Sequence, residues 1–176
     1  MRYCLIDTAI GTMGLGWTGR GVARFALPDR DRASTERLFP RMGALAGTPD
    51  AGLAEAILAY AEGERVEFSD VALDLGGVPD FNRSVYDDIL KLKWGETTTY
   101  GEIARRLGDV NLARAVGKAL GDNPIPLIIP CHRVLAAGGG TGGFSAPGGV
   151  SSKLRLLALE GVRAGPSEPA QMSFGF

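Results

Sequence analysis

At 176 residues, 45% hydrophobic, 22% charged and 7% aromatic, the chain is long enough to bury a core and has the mixture of an ordinary globular protein rather than a disordered or fibrous one. A net charge of −1 gives no global pull toward a polyanion. Two cysteines, Cys4 and Cys131, are too few for a disulfide framework, and the single histidine, His132, argues against a histidine-built metal site. No run reaches the roughly 18–20 apolar residues of a membrane span and no signal peptide is legible, so a cytoplasmic protein with reduced thiols is expected.

In chain order, short β-type runs at 2–10, 15–17 and 21–27 are separated by Gly-rich turns, the pattern of a meander. Two helical stretches follow. The better one has Thr48 as cap and Pro49 at the first helical position, and runs through Leu53, Ile57, Leu58 and Ala61 at helical spacing. Residues 66–75 read as a further strand, and Gly76-Gly77-Val78-Pro79 as a linker. The expected division is therefore a structural α/β domain over 1–78, a second domain over 79–165 and a flexible tail over 166–176. Charge supports the split: residues 1–81 hold 8 Lys/Arg against 12 Asp/Glu, and residues 82–161 hold 10 against 7, which puts any nucleic-acid-facing surface in the second half.

That half is mainly helical. Phe81, Val85 and Ile89, with Tyr86 and Leu90, make an apolar stripe that ends near Trp94-Gly95. A short helix over 100–107, a tight Gly108-Asp109-Val110 connection and a helix over 111–121 read either as a helix-turn-helix or as an ordinary αα-hairpin. On the second helix Leu112, Ala115, Val116, Ala119 and Leu120 form a core face, while Arg114, Gly117, Lys118 and Gly121 share the other. Each interior glycine costs about 1 kcal/mol relative to alanine, so close approach is implied, either of a phosphate-lined groove or of another helix.

The next segment, Asn123-Pro124-Ile125-Pro126-Leu127-Ile128-Ile129-Pro130-Cys131-His132-Arg133-Val134, leaves room only for a short strand over 127–129. Cys131 is either inert core or a nucleophile activated by His132 or Arg133. In an extended chain neighbouring side chains point to opposite faces, so His132 would need a backbone turn or an intervening water to serve the sulfur. A loop over 138–149 with seven glycines follows, then a helix capped by Ser151-Ser152, with Leu154, Leu156 and Leu157 inward and Gly161 at its end. Glu160 in its last turn opposes the helix dipole, which is consistent with a compensating partner such as a histidine or with a solvated surface carboxylate.

Pro130-Cys131-His132-Arg133-Val134, with Asn123-Pro124 before it, Thr99-Tyr100-Gly101-Glu102-Ile103-Ala104 and Ala113-Arg114-Ala115-Val116-Gly117 upstream, and Leu156-Leu157-Ala158-Leu159-Glu160-Gly161 behind, resembles the O6-alkylguanine-DNA alkyltransferases, also called methylated-DNA-protein-cysteine methyltransferases. The strong match covers about residues 79–163; the first half matches only in general layout. The resemblance implies an α+β fold with an RNase H-like N-terminal domain and a mainly helical, winged helix-turn-helix-like C-terminal domain. It implies direct, single-turnover transfer of an alkyl group from O6-alkylguanine, and by the same chemistry from O4-alkylthymine, to Cys131.

By the same resemblance, His132, Glu160 and a water generate the thiolate, Asn123 braces the turn, and Tyr100 presses on a phosphate and hydrogen-bonds the flipped base. Arg114 replaces the base in the stack, with Ala113, Gly117 and Lys118 completing the DNA-facing surface; Val134, Phe144, Ser145 and Leu120 line the base site. The implied partner is double-stranded DNA carrying the lesion, the implied free state is a monomer, and neither metal nor organic cofactor is required. Two departures stand out. The loop Phe144-Ser145-Ala146-Pro147-Gly148-Gly149 is two residues longer than in most members, and no residues match the zinc ligands some members have. A lesion sensor that binds alkylguanine without repairing it is the alternative, and a cysteine hydrolase ranks below both.

Overall fold

The computed structural model describes residues 1–165; the expected tail over 166–176 lies outside the described residues. The fold is α+β. Strands β1 (Arg2–Thr8), β2 (Gly11–Thr18) and β3 (Gly21–Ala26) form the expected antiparallel meander, followed by short helices α1 (Arg32–Glu36) and α2 (Leu38–Arg41) and by strand β4 (Leu45–Ala46). The sheet order is β3-β2-β1-β4, with β4 parallel to β1. Helix α3 (Ala51–Ala61) starts two residues later than a Thr48 cap would place it: the cap is Asp50, whose carboxylate accepts the Leu53 N–H at 3.0 Å. The expected strand over 66–75 does not form. The segment runs beside β3 but makes only one bridge, Val22 to Leu73, fixed by Val22 N–H to the Ala72 carbonyl and Asp74 N–H to the Val22 carbonyl.

In the second half, α4 (Asp80–Ile89) buries Val85, Tyr86 and Ile89 as its stripe requires. Strand β5 (Thr98–Thr99) leads into α5 (Tyr100–Arg106), whose start is a capping box: Thr99 Oγ1 accepts the Glu102 N–H and Glu102 accepts the Thr99 N–H. A 3₁₀ turn (Val110–Leu112) precedes α6 (Ala113–Gly121), so the helix expected over 111–121 begins two residues late. Ala115, placed on the core face by spacing, is exposed; Val116, Ala119 and Leu120 carry the packing. Arg106 of α5 clamps Asp88 of α4 with 2.7–3.1 Å contacts.

No strand forms over 127–129. The segment is a tight turn in which Ile129 N–H reaches the Ile125 carbonyl and Leu127 takes φ of +78°, the only non-glycine residue in the left-handed region among those described. Pro124, Pro126 and Pro130 remove the donors a ladder needs, and the turn closes on the Asn123 side chain instead: Oδ1 accepts from Ile125 N–H and Nδ2 donates to the Ile129 carbonyl, both at 2.9 Å. A 3₁₀ turn (Cys131–Arg133) and strand β6 (Val134–Leu135), parallel to β5, follow. After another 3₁₀ turn (Ala137–Gly139), helix α7 (Gly149–Leu159) buries Leu156 and Leu157, while Leu154, expected inward, is exposed. One apolar core runs from Phe25, Ile57 and Tyr60 through Val85, Ile103, Val116 and Ile128 to Leu156. The halves are also joined by Phe25 N–H to the Pro124 carbonyl at 3.0 Å, so β3 supports the turn that carries Cys131.

Candidate active site

The 3₁₀ turn over Cys131–Arg133 replaces the extended chain expected there. At about three residues per turn, successive side chains leave it some 120° apart. Cys131 faces a pocket, whereas His132 and Arg133 turn inward to Glu160, and all four residues are buried.

Glu160, just past α7, accepts five hydrogen bonds: from His132 Nε2 at 2.7 Å, Tyr60 Oη at 2.8 Å, Arg133 Nε at 2.8 Å, Arg133 Nη2 at 3.1 Å and Gly95 N–H at 3.2 Å. Burial alone would raise its pKa, but the hydrogen bonds from His132 and Arg133 and the Arg133 charge outweigh that and hold it at about 2. An ionised carboxylate only accepts, so His132 Nε2 carries a proton. Burial lowers the His132 pKa against the opposing pull of Glu160, which leaves a neutral ring with its lone pair on Nδ1. That Nδ1 is buried and bonds no protein group among the described residues.

Arg133, considered as a direct activator of the thiol, instead spends its guanidinium on Glu160 and on the Leu92 carbonyl, at 2.6 Å. Two further residues escaped sequence reasoning. Tyr60 of α3 is packed against Trp94 and Phe68 and reaches Glu160 from the first half of the chain; burial and the Glu160 charge push its pKa far up, so it acts as a donor. Lys153, on the inner face of α7, donates its Nζ to the Val134 carbonyl and lies 5.8 Å from the centre of the Tyr100 ring. Burial lowers its pKa to about 8 against the attraction of Cys131. The thiol itself is raised by burial. Asn123, the Lys153 charge and the N–H groups of Cys131 and His132 work the other way.

The pocket in front of Cys131 holds about 280 Å³ and is bounded by Tyr100, Gly117, Leu120, Gly143, Phe144 and Ser145. A Cβ on Gly121 would come within 3.1 Å of Ser145 Oγ, so the missing side chain leaves room at the pocket wall, whereas one on Gly117 would make only an ordinary contact, 3.8 Å, with the Tyr100 ring at the start of α5. Tyr100 Oη donates to the Gly143 carbonyl at 3.3 Å. Asn123, His132, Glu160 and Val134 thus converge with Cys131, and Tyr100, Phe144, Ser145 and Leu120 line the space before it. Arg114, on the opposite face of α6 from the core, is exposed and bonds no protein group among the described residues; Lys118 pairs with Asp122 at 2.6 Å, and Ala113 is half-buried at the start of α6.

A buried cysteine beside a neutral imidazole whose tautomer is set by a carboxylate defines a cysteine-nucleophile protein with a pocket in front of the thiol. Residues 80–162 match the family described as 6-O-methylguanine DNA methyltransferase, DNA binding domain. The methylated-DNA–protein-cysteine methyltransferase of Mycobacterium tuberculosis is 40% identical over 165 residues, covering 93% of this chain and 94% of that protein. The chain belongs to the methylated-DNA–protein-cysteine methyltransferase family. The Mycobacterium leprae relative of the same name is 38% identical over 162 residues, covering 91% and 93%. Among solved structures, Mycobacterium tuberculosis OGT in complex with DNA aligns with a TM-score of 0.77 at 38% identity, covering 95% of this chain and 96% of that one. The O6-methylguanine-DNA methyltransferase of Pyrococcus kodakaraensis aligns at 0.70 with 26% identity, covering 91% and 99%. Among the described residues no helix is long and apolar enough to cross a membrane.

Proposed function

We propose that the protein repairs DNA directly, moving the alkyl group of O6-alkylguanine in duplex DNA onto Cys131, once per molecule. The observation that carries this reading is the state of His132: its Nε2–H is committed to Glu160, and its Nδ1 lone pair is buried and free of protein partners next to the Cys131 turn. A water between Nδ1 and Sγ takes the thiol proton to the ring. The thiolate attacks the alkyl carbon in line with O6, the C–O6 bond breaks, and the electron pair passes to guanine, which takes a proton at N1. The product is a thioether with no competent leaving group, so a second turnover has no route.

The remaining residues divide the work. Ser145 donates to O6 as charge gathers there, Tyr100 presses on the backbone phosphate and bonds the base, and Leu120 and Phe144 sandwich its edge. The Val134 carbonyl has two lone pairs, one taken by Lys153 and one available to the guanine amino group. We read α5, the intervening turn and α6 as a helix-turn-helix-like unit, with β5 and β6 at its flank, docking α6 in the minor groove, and the β1–β4 meander with α3 as an RNase H-like support. Arg114 fills the gap left by the flipped base, with Ala113 and Gly117 against the groove. Lys118 exchanges Asp122 for a phosphate at little cost, since an exposed ion pair is worth about 0–1 kcal/mol. The protein acts as a monomer until it meets DNA, in a cytoplasm that keeps Cys131 reduced.

The test is a mass measurement. After incubation with an O6-methylguanine duplex, the peptide holding Cys131 should carry one methyl group, in amounts equal to the lesions lost; repaired DNA with an unmodified Cys131, or an unmodified Cys131 with the lesion intact, overturns the reading. A second expected result separates binding from chemistry. Arg114→Ala should slow transfer from duplex DNA by about tenfold or more, because flipping costs a few kcal/mol, yet leave transfer from the free alkylated base near wild type. Equal loss on both substrates would make Arg114 a structural residue.

A further inference from the structure

Two tyrosines are fully buried, Tyr60 of α3 and Tyr86 of α4, and each needs a partner for its hydroxyl. Tyr86 donates to the backbone carbonyl of Ala119 at 2.8 Å, which packing alone explains. Tyr60 donates instead to Glu160 Oε1, the same oxygen that holds His132 Nε2–H, and its own oxygen lies 3.4 Å from that nitrogen. Oε1 thus meets three donors, His132 at 2.7 Å, Tyr60 at 2.8 Å and Arg133 Nη2 at 3.1 Å, although a carboxylate oxygen offers only two lone pairs. The donors therefore compete for its charge. Aromatic packing keeps the one from the first half of the chain in place: the Trp94 ring meets Tyr60 edge-on at 5.2 Å between centres, and Phe68 lies at 5.9 Å. Gly95, next to Trp94, gives its N–H to the other Glu160 oxygen.

We propose that Tyr60 is a positioning residue through which the first half of the chain sets the basicity of His132. Its hydroxyl draws Glu160 charge away from the His132 N–H and so restrains the pull that makes the ring more basic. Arg133 and Lys153 oppose an imidazolium and Glu160 favours it, with the Cys131 thiol as the remaining titratable group beside the ring. With Tyr60 in place the ring stays neutral and Nδ1 can accept the thiol proton; without it Glu160 would promote protonation of Nδ1 from solvent, and the path from the thiol would close. The consequence for repair rests on the alkyl-transfer reading above, whereas the state of the ring does not.

His132 is the only histidine in the chain, so the imidazole signals of tag-free protein in an NMR spectrum belong to it. In Tyr60→Phe, which keeps the ring and removes only the hydroxyl, the His132 titration should move up by about half to one pH unit, and the Nε2–H proton should shift downfield as its bond to Glu160 tightens. The acid limb of the rate of methyl transfer to Cys131 should move up with the titration, because a ring already protonated cannot take the thiol proton. Uniform replacement of tyrosine by 3-fluorotyrosine gives the opposite sign and keeps the test decisive if Tyr60→Phe fails to fold. Its more acidic hydroxyl donates more strongly, so both His132 signals should move the other way. Unmoved His132 signals in either folded protein overturn the proposal. So does a transfer rate that falls equally at every pH, which would make Tyr60 a packing residue alone. If wild type moves no methyl group to Cys131, the alkyl-transfer reading fails, and the His132 signals still decide what Tyr60 does.

Discussion

Glu160→Ala is expected to lower the melting temperature by about 10 °C and to slow alkyl transfer about 100-fold or more. The first effect comes from Arg133. Its guanidinium is buried against Glu160, and removing one partner of such a pair leaves an uncompensated charge, at a cost of about 3–5 kcal/mol. The second comes from His132, which without its acceptor no longer has a fixed tautomer or ring orientation. Acid should expose the same dependence. The Glu160 value of about 2 lies below the ordinary 4.5, so its stabilisation is complete above pH 4.5 and is lost as pH falls toward 2. Thermal melts of wild type and Glu160→Ala across pH 2–6 should therefore converge at the acid end. A constant gap between them would mean that Glu160 is not the ionised hub of the site.

Lys153→Met should separate stability from function. Methionine keeps the length of the side chain and removes a buried charge, so the variant should melt at or above wild type. Transfer should nonetheless slow about tenfold or more, because the variant loses both the charge that favours the Cys131 thiolate and the donor that pins the Val134 carbonyl. The pH dependence has a defined sign. With a folded value of about 8 against an ordinary 10.5, the unfolded chain binds more protons than the folded one between these limits, so wild-type stability rises with pH across that window. The Met variant should lack this rise. A wild-type transfer rate in Lys153→Met would show that neither the charge nor the pinned carbonyl bears on the reaction.

How much of this was legible beforehand depended on whether a residue's role is set by its neighbours in the chain. Helix α4 followed from its stripe of Phe81, Val85 and Ile89, since helical periodicity is local, and the end of α5 from the Gly108-Asp109-Val110 connection. The strand expected over 127–129 failed because three apolar residues cannot impose extension when flanking prolines delete the ladder donors and Asn123 offers a competing closure. The strand expected over 66–75 failed for want of a partner beyond one bridge to Val22. Tyr60 gave no sign of its role: with Ile57 and Ala61 it reads as the inner face of α3, and only the packing of α3 against the second half directs its hydroxyl to Glu160, a hundred residues away. Lys153 did leave a signal. It occupies the same helical face as Leu156, Leu157 and Glu160, and a lysine on an apolar stripe implies either a buried charge with a task or a misread face.

By itself the sequence determined the α+β class, the order of the principal helices, the adjacency of Cys131 and His132, and the family, because these rest on local pattern and on motifs that read in order. The tertiary structure decided the proton's path. That Nε2 of His132 faces Glu160 while Nδ1 is left without a protein partner follows from a 3₁₀ turn that splays three successive side chains, and from a carboxylate held ionised by donors drawn from three separate segments of the chain. Charge and hydrogen bonding at a buried site depend on distances across the fold, which one-dimensional spacing does not encode.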